Sequence, residues 1–254
     1  MALDIAHGQI QGIISDQAKD QVTQSSQAVA DIVQDGAVVY GINTGFGPLC
    51  TTKISASESQ MLQTNILMSH AVGVGSPIDP ILSKLMLILK LHALAQGYSG
   101  ISLKTLERIQ WYIEKDAIPE VPEQGSVGAS GDLAPLAHLF LPLIGEGFIH
   151  YKNKRMSGAD FCATTGLTPL RLGPKEGLAL INGTQFIAAH GVKLLRDFHN
   201  CLVHADLIAA LMVEALQGSI KPFHPKLHQL RPFKGVIHVA HKMYTLLKDS
   251  PIMK

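Results

Sequence analysis

Cysteine is scarce. Cys50, Cys162 and Cys201 are odd in number and share no paired spacing, which excludes a disulfide framework and a thiolate zinc site. They read as isolated thiols of a reducing compartment, so the cytoplasm is the expected location. Charge is scarce too: 16% of residues are ionised, 21 Lys and Arg against 20 Asp and Glu, and the formal net charge is +1. With aromatics at only 6% and no basic run for them to interleave, the chain lacks the footprint of a nucleic-acid groove. No apolar run is both long and free of charge. The most apolar stretch, Ile81 to Ala95, is interrupted by Lys84, Lys90 and His92, which argues against a bilayer span, and no membrane partner is expected. Met1-Ala2-Leu3-Asp4 lacks the basic start of a secretory signal. His224 and His228, and His238 and His241, have spacings that could share a helix face. Pro225 interrupts the first pair and no carboxylate or thiolate cluster accompanies either, so no metal is expected.

What is present is helical. Hydrophobic residues make up 46% of the chain and mean hydropathy is +0.20, a balance that points to burial in an oligomer. A polar helix is predicted over about Gln17 to Val33, then a short β-branched run from Ala37 to Tyr40 and a glycine-rich loop suited to a lid. Ser55-Ala56-Ser57-Glu58 is a capping-box pattern whose helix should run to about Ala71. Asp79-Pro80 opens a buried helix that Gly97 can end, and Ser102 opens an amphipathic one with Leu103, Leu106, Ile109 and Ile113 near helical spacing. Residues 122–131 read as loop, 133–145 as helix, 151–156 as a hairpin or loop. From Gly177 to about Gly218 the helical period persists for an unusual length. The expected fold is all-α, a long-helix bundle with minor β elements, organised as an N-terminal domain over 1–176 and the start of a central bundle over 177–254.

The most informative segment is Gly125-Ser126-Val127-Gly128-Ala129-Ser130-Gly131-Asp132. Gly131 has no Cβ, so its amide nitrogen can approach the Ala129 carbonyl carbon in a bend most residues forbid. Closure gives a five-membered ring. Loss of one water from the ring and a second from the Ser130 side chain leaves a 4-methylidene-imidazol-5-one, an electrophile that no native side chain offers. The plainer reading is a glycine-rich turn capping the helix near Asp132. Neither a G-x-S-x-G elbow nor Walker spacing fits the segment.

Around it stand Tyr40-Gly41-Ile42-Asn43-Thr44-Gly45-Phe46-Gly47, Ser69-His70-Ala71-Val72-Gly73, Leu94-Ala95-Gln96-Gly97-Tyr98-Ser99-Gly100 and Leu180-Ile181-Asn182-Gly183-Thr184-Gln185. With these motifs in this order, the chain resembles the aromatic amino acid ammonia-lyase and aminomutase family along almost its whole length. The resemblance implies the fumarase/aspartase-like bundle, and an imidazolone formed autocatalytically from Ala129, Ser130 and Gly131 with no external cofactor. Tyr40, by itself a strand-end aromatic or a phenol base, becomes the base that removes the substrate's β-hydrogen. His70, by itself a histidine at a helix C-terminus, gains a partner role. The Ser69-His70 dipeptide is similar to that of the family's histidine-deaminating branch, so L-histidine is the implied substrate, bound through its imidazole, and urocanate and ammonia the products. Asn182, otherwise a local kink, would hold the substrate carboxylate or the ring carbonyl. Asp132 would be both helix cap and assistant to ring closure. Phe140 departs from the family pattern, which usually has a small residue there.

A positioned base accounts for about 3–5 kcal/mol of the ~8–23 kcal/mol by which enzymes lower barriers. The electrophile and its surroundings must supply the rest. Family members are about twice as long, assemble as homotetramers, and take from their second half an Arg, a further Tyr and a Glu. The chain is therefore expected to be an N-terminal portion, active only when joined to a C-terminal part or complemented by a C-terminal chain. Another lyase or aminomutase of the class, or an inactive interaction module, are the other readings.

Overall fold

The computed structural model describes residues 1–36, 38–39, 41–44 and 56–253, with the side chains of 56–59 excepted. Helices dominate it, as expected. Two compact units are present, Met1–Val192 and Lys193–Lys254.

The first unit is built around α4 (Pro80–Leu94), which begins where Asp79 accepts a hydrogen bond from Ile81 N at 3.0 Å and Pro80 occupies the first turn. Leu82, Leu85, Met86, Leu87, Ile88 and Leu94 are all buried, each worth about 1.5–3 kcal/mol of burial. Helix α4 carries two lysines into this core. Lys84 pairs with Asp116, and Lys90 is met again at the candidate site. Against α4 pack α1 (Ala2–Ala6) and α5 (Leu103–Glu114), the latter capped by Ser102 Oγ on Thr105 N at 3.3 Å. The predicted N-terminal helix is α2 (Asp16–Asp35), opened by Ser15 and closed by left-handed Gly36. Helix α3 (Ala56–His70) ends at the expected place; Ser55 of its predicted capping box lies outside the described residues.

Small sheets join these helices. β1 (Val74–Pro77) pairs antiparallel with β3 (Pro122–Gln124), placing Val74 opposite Gln124. The segment read as loop from 122 therefore begins as a strand, because its backbone finds partners 45 and 50 residues back in the chain, Pro77 for Pro122 and Val74 for Gln124, that local pattern cannot reveal. β2 (Ile118–Pro119), β4 (Phe148–Tyr151) and β5 (Lys154–Ser157) form a second sheet in the order β2-β4-β5. The β4-β5 turn realises the predicted hairpin, with left-handed Lys152 and Asn153 at its tip. Val38 and Val39 form no strand; Ala37 and Tyr40 lie outside the described residues.

Helix α6 (Leu133–Phe140) is shorter than expected and passes into a 3-10 turn over Leu141–Ile144, with Pro142 at its start and left-handed Gly145 after it. Phe140 is fully buried and fits the core of this unit. After α7 (Gly158–Thr165), the long helix predicted from Gly177 is two helices, α8 (Glu176–Ile181) and α9 (Gln185–Ala215). Asn182 turns extended, φ −82° and ψ 113°, and Asn182-Gly183-Thr184 break the rod.

The second unit holds the rest of α9, then α10 (Pro225–Gln229) and α11 (Lys234–Leu247). Its core is small: Ala210, Met243 and Leu247 with Val213, Ile220, Phe223 and Met253 around them. Lys242 reaches Asp206 at 2.8 Å, and Ser250 Oγ donates to Glu214. Leu194, Leu195, Phe198, Leu202, Leu211 and Met212 of α9 remain exposed. By length and composition alone the stretch Glu176–Ala215, with mean hydropathy 1.2 in its most apolar window, could cross a membrane. That stretch was not singled out for this in the sequence.

Candidate active site

The Ala129-Ser130-Gly131 loop stands between a strand and a helix. β3 delivers the chain to Gly125, and α6 takes it up at Leu133. Ala129 and Ser130 are exposed, while Asp132 is fully buried. The Asp132 carboxylate turns back on the loop: Oδ2 accepts from Ser126 Oγ at 2.6 Å and Oδ1 from Val127 N at 2.9 Å. It stands at the N-cap position of α6 but accepts no bond from that helix's amides, so the capping half of its expected role is not what its side chain does. The loop has the stronger claim on it, since two donors there satisfy a buried charge that one helix amide would leave underpartnered.

Across from the loop lies the α8–α9 break. Asp132 N donates to Gly183 O at 3.1 Å, and Lys90 Nζ donates to Asn182 O at 2.8 Å. A methyl group on Gly131 would stand 3.3 Å from Asn182 Oδ1, so the Asn182 amide occupies the space beside the Gly131 Cα. Asn182 is otherwise exposed, with its side chain available to a ligand. The residues that ring closure would use thus meet in one place: a glycine whose Cβ would crowd Asn182 Oδ1 at 3.3 Å, an exposed serine before it, and a buried carboxylate after it. They fit the imidazolone.

His70 closes α3. Its Nδ1 lies 2.8 Å from Ile66 O; a carbonyl only accepts, so Nδ1 carries the proton and Nε2 is left as the acceptor of the neutral ring. Among the described residues Nε2 makes no hydrogen bond, and Ser69 Oγ lies 3.1 Å from Nδ1. The segment that follows is tied to the cofactor-loop helix through Gly73 N, which donates to His138 Nε2 at 2.9 Å. That bond requires a neutral His138, and burial holds this imidazole below its ordinary range.

Tyr40 lies outside the described residues. Its neighbours are anchored: Ile42, Asn43 and Thr44 are buried, and Val39 N donates to Asn43 Oδ1 at 2.9 Å. Gly41 sits at φ +77°, where a Cβ would come within 2.6 Å of Leu178 Cδ2, so the motif's glycine is set by contact with α8. The same helix is reached from α3, where Gln63 Oε1 accepts from Gly177 N at 2.9 Å.

Lys90, His138 and Gln63 were missed as site-shaping residues by sequence reasoning. The available signal was a polar side chain inside a stretch too apolar for a solvent face. Among the described residues no cluster of three or more His, Cys, Asp or Glu could hold a metal ion.

The chain is similar along its length to several known proteins. Histidine ammonia-lyase of Shouchella clausii (strain KSM-K16) is 44% identical over 239 residues, 94% of this chain and 48% of that protein. Histidine ammonia-lyase of Natranaerobius thermophilus is 40% identical over 98% of this chain and 49% of its own length. Among solved structures, phenylalanine aminomutase of Pantoea agglomerans superposes with a TM-score of 0.92 at 29% identity, covering all of this chain and 49% of that one. Histidine ammonia-lyase from Trypanosoma cruzi gives 0.87 at 36% identity over 95% of this chain and 47% of that one. The chain spans about half the length of the relatives it matches. The family model for aromatic amino acid lyases matches residues 2–254, and with the loop geometry in place the chain belongs to the aromatic amino acid lyase family.

Proposed function

We propose that this chain is the electrophile-bearing, N-terminal part of a histidine ammonia-lyase, which converts L-histidine to urocanate and ammonia without redox chemistry. The observation that carries the reading is the meeting of Gly131, Asn182 and the buried Asp132 carboxylate around the exposed Ser130. Ring closure joins Gly131 N to the Ala129 carbonyl carbon. The displaced oxygen leaves as water with the Gly131 and Ser130 amide hydrogens, and the Ser130 hydroxyl leaves as a second water with the Ser130 α-hydrogen. The closed ring supplies an electron-accepting methylidene, the chemistry an external cofactor otherwise brings.

The chain's own residues do the rest. Asp132 holds the loop in the bend through Ser126 and Val127. His70 Nε2 accepts the N–H of the substrate imidazole, which selects histidine over phenylalanine because a phenyl ring would cover this acceptor and leave it unpaired. The Asn182 amide holds the substrate carboxylate or the ring carbonyl, and Tyr40 removes the β-hydrogen. Histidine relatives at 40–44% identity support the substrate.

The exposed apolar residues of α9 are the chain's docking face within a cytoplasmic homotetramer. Intact mass of the purified chain, with peptide mapping, tests the loop: a two-water deficit localised to Ala129-Ser130-Gly131 is expected, and an unmodified peptide in folded protein refutes it. Urocanate formation with and without a separately expressed C-terminal half tests the rest. An aminomutase is the second reading, favoured by the fit to phenylalanine aminomutase; a β-amino acid product would establish it. A folded chain without either activity would leave an interaction module.

A further inference from the structure

Lys90 has no part in the chemistry proposed above. It lies in the middle of α4, only 3% exposed, and its ammonium pairs with no carboxylate among the described residues. Among the described residues its polar contact is Asn182 O at 2.8 Å. Burying an amine beside a lone carbonyl is unfavourable: desolvation pushes its pKa down to about 7, so near neutrality it is shared between ammonium and amine, and both forms donate an N–H. What the contact achieves is local. Asn182 has left the helix, its carbonyl has no helical partner, and the next carbonyl, Gly183 O, takes the amide of Asp132. Two consecutive carbonyls of the break are therefore held, one by the core and one by the cofactor loop.

We infer that Lys90 is a positioning residue: by fixing Asn182 O it sets the place of the α8–α9 break, and through it the register of Asn182 Oδ1 and Asp132 N on the Gly131 bend that ring closure requires. The second half of this statement rests on the function proposed above. The first half does not. Lys84 provides the comparison, being a second buried lysine of the same helix whose partner, Asp116, is remote from the break in sequence and belongs to the loop after α5.

The test uses the whole chain with Lys90→Met, Lys90→Arg and Lys84→Met, read by amide hydrogen exchange and by intact mass. Lys90→Met removes the donor at similar volume, and Asp132 amide exchange is expected to accelerate at least tenfold. Lys90→Arg keeps a donor and should restore protection to within tenfold of the parent. Lys84→Met should leave Asp132 within that range whatever it does to melting temperature. Equal acceleration in Lys84→Met and Lys90→Met, or none in Lys90→Met, overturns the positioning role. Should Lys90→Met not fold, Lys90→Arg decides: tenfold or greater acceleration at Asp132 overturns it, and retained protection supports it. The mass arm is separate. If the parent shows the two-water deficit, its yield should fall at least tenfold in Lys90→Met and recover in Lys90→Arg, and an undiminished yield removes the link to ring closure. A parent without the deficit refutes the cofactor reading and leaves the exchange result standing.

Discussion

At the scale of single residues, chemistry is concentrated in side chains whose freedom has been removed by neighbours. Ser130 and Asn182 are exceptions: both are exposed, and the proposed ring closure would eliminate the Ser130 hydroxyl. Ser130→Ala lacks that hydroxyl, so the two-water deficit should vanish. In the complemented enzyme, deamination should drop by at least about 10³-fold, the scale of losing a central electrophilic group; intact mass and urocanate absorbance check both. His70→Phe takes away one acceptor. It should raise KM for histidine about tenfold while the mass deficit stays, and steady-state kinetics that do not move would remove His70 from the substrate's surroundings. The motifs carrying these residues were legible in the sequence because each is a short run of unusual composition. Lys90 and His138 were not: a lysine and a histidine in apolar helices are ambiguous until the fold shows which carbonyl or amide they meet.

At the scale of elements, the sequence disclosed helices with strong caps and missed features that depend on partners far along the chain. Asp79 and Ser102 each opened a helix where expected, since a cap is a local interaction. The β1-β3 pairing went unread because it is decided by tertiary contacts, whereas the break inside 177–218 had a local signal in the kink expected at Asn182 beside Gly183. The Gly73–His138 bond ties β1's leading turn to α6 and gives the site a pH response. His138 has its folded pKa lowered by burial from an ordinary 6.5. The unfolded chain therefore takes the proton first, so this contribution to stability is complete above about pH 6.5 and is lost as pH falls through the lowered folded value. Melting temperature measured from pH 7.5 downward should decline below about 6.5. His138→Gln should flatten that part of the profile, and an unchanged slope in this variant would place the dependence elsewhere.

For the whole molecule, the second unit exposes more apolar surface than its small core of Ala210, Met243 and Leu247 can account for. Phe198→Ser with Leu202→Ser should lower the sedimenting mass of the chain or of its complemented complex while the melting temperature of the first unit stays within about 2 °C, the shift expected of surface changes below ~0.5 kcal/mol; an unaltered mass would place the assembly face elsewhere. Within the first unit, the candidate site is joined by bonds between residues distant in sequence: 65 positions for Gly73 and His138, 92 for Lys90 and Asn182, 114 for Gln63 and Gly177. This has a consequence in time. When Ala129, Ser130 and Gly131 are first joined into the growing polypeptide, neither Asn182 nor Gly183 yet exists. Roughly fifty residues must still be added, about 3–10 s at ordinary rates of synthesis. On the function proposed here, the electrophile is thus a late product of biosynthesis, made only after translation has supplied the second wall of its own mould, and a ribosome stalled before that point would release a chain with an ordinary, unreactive serine.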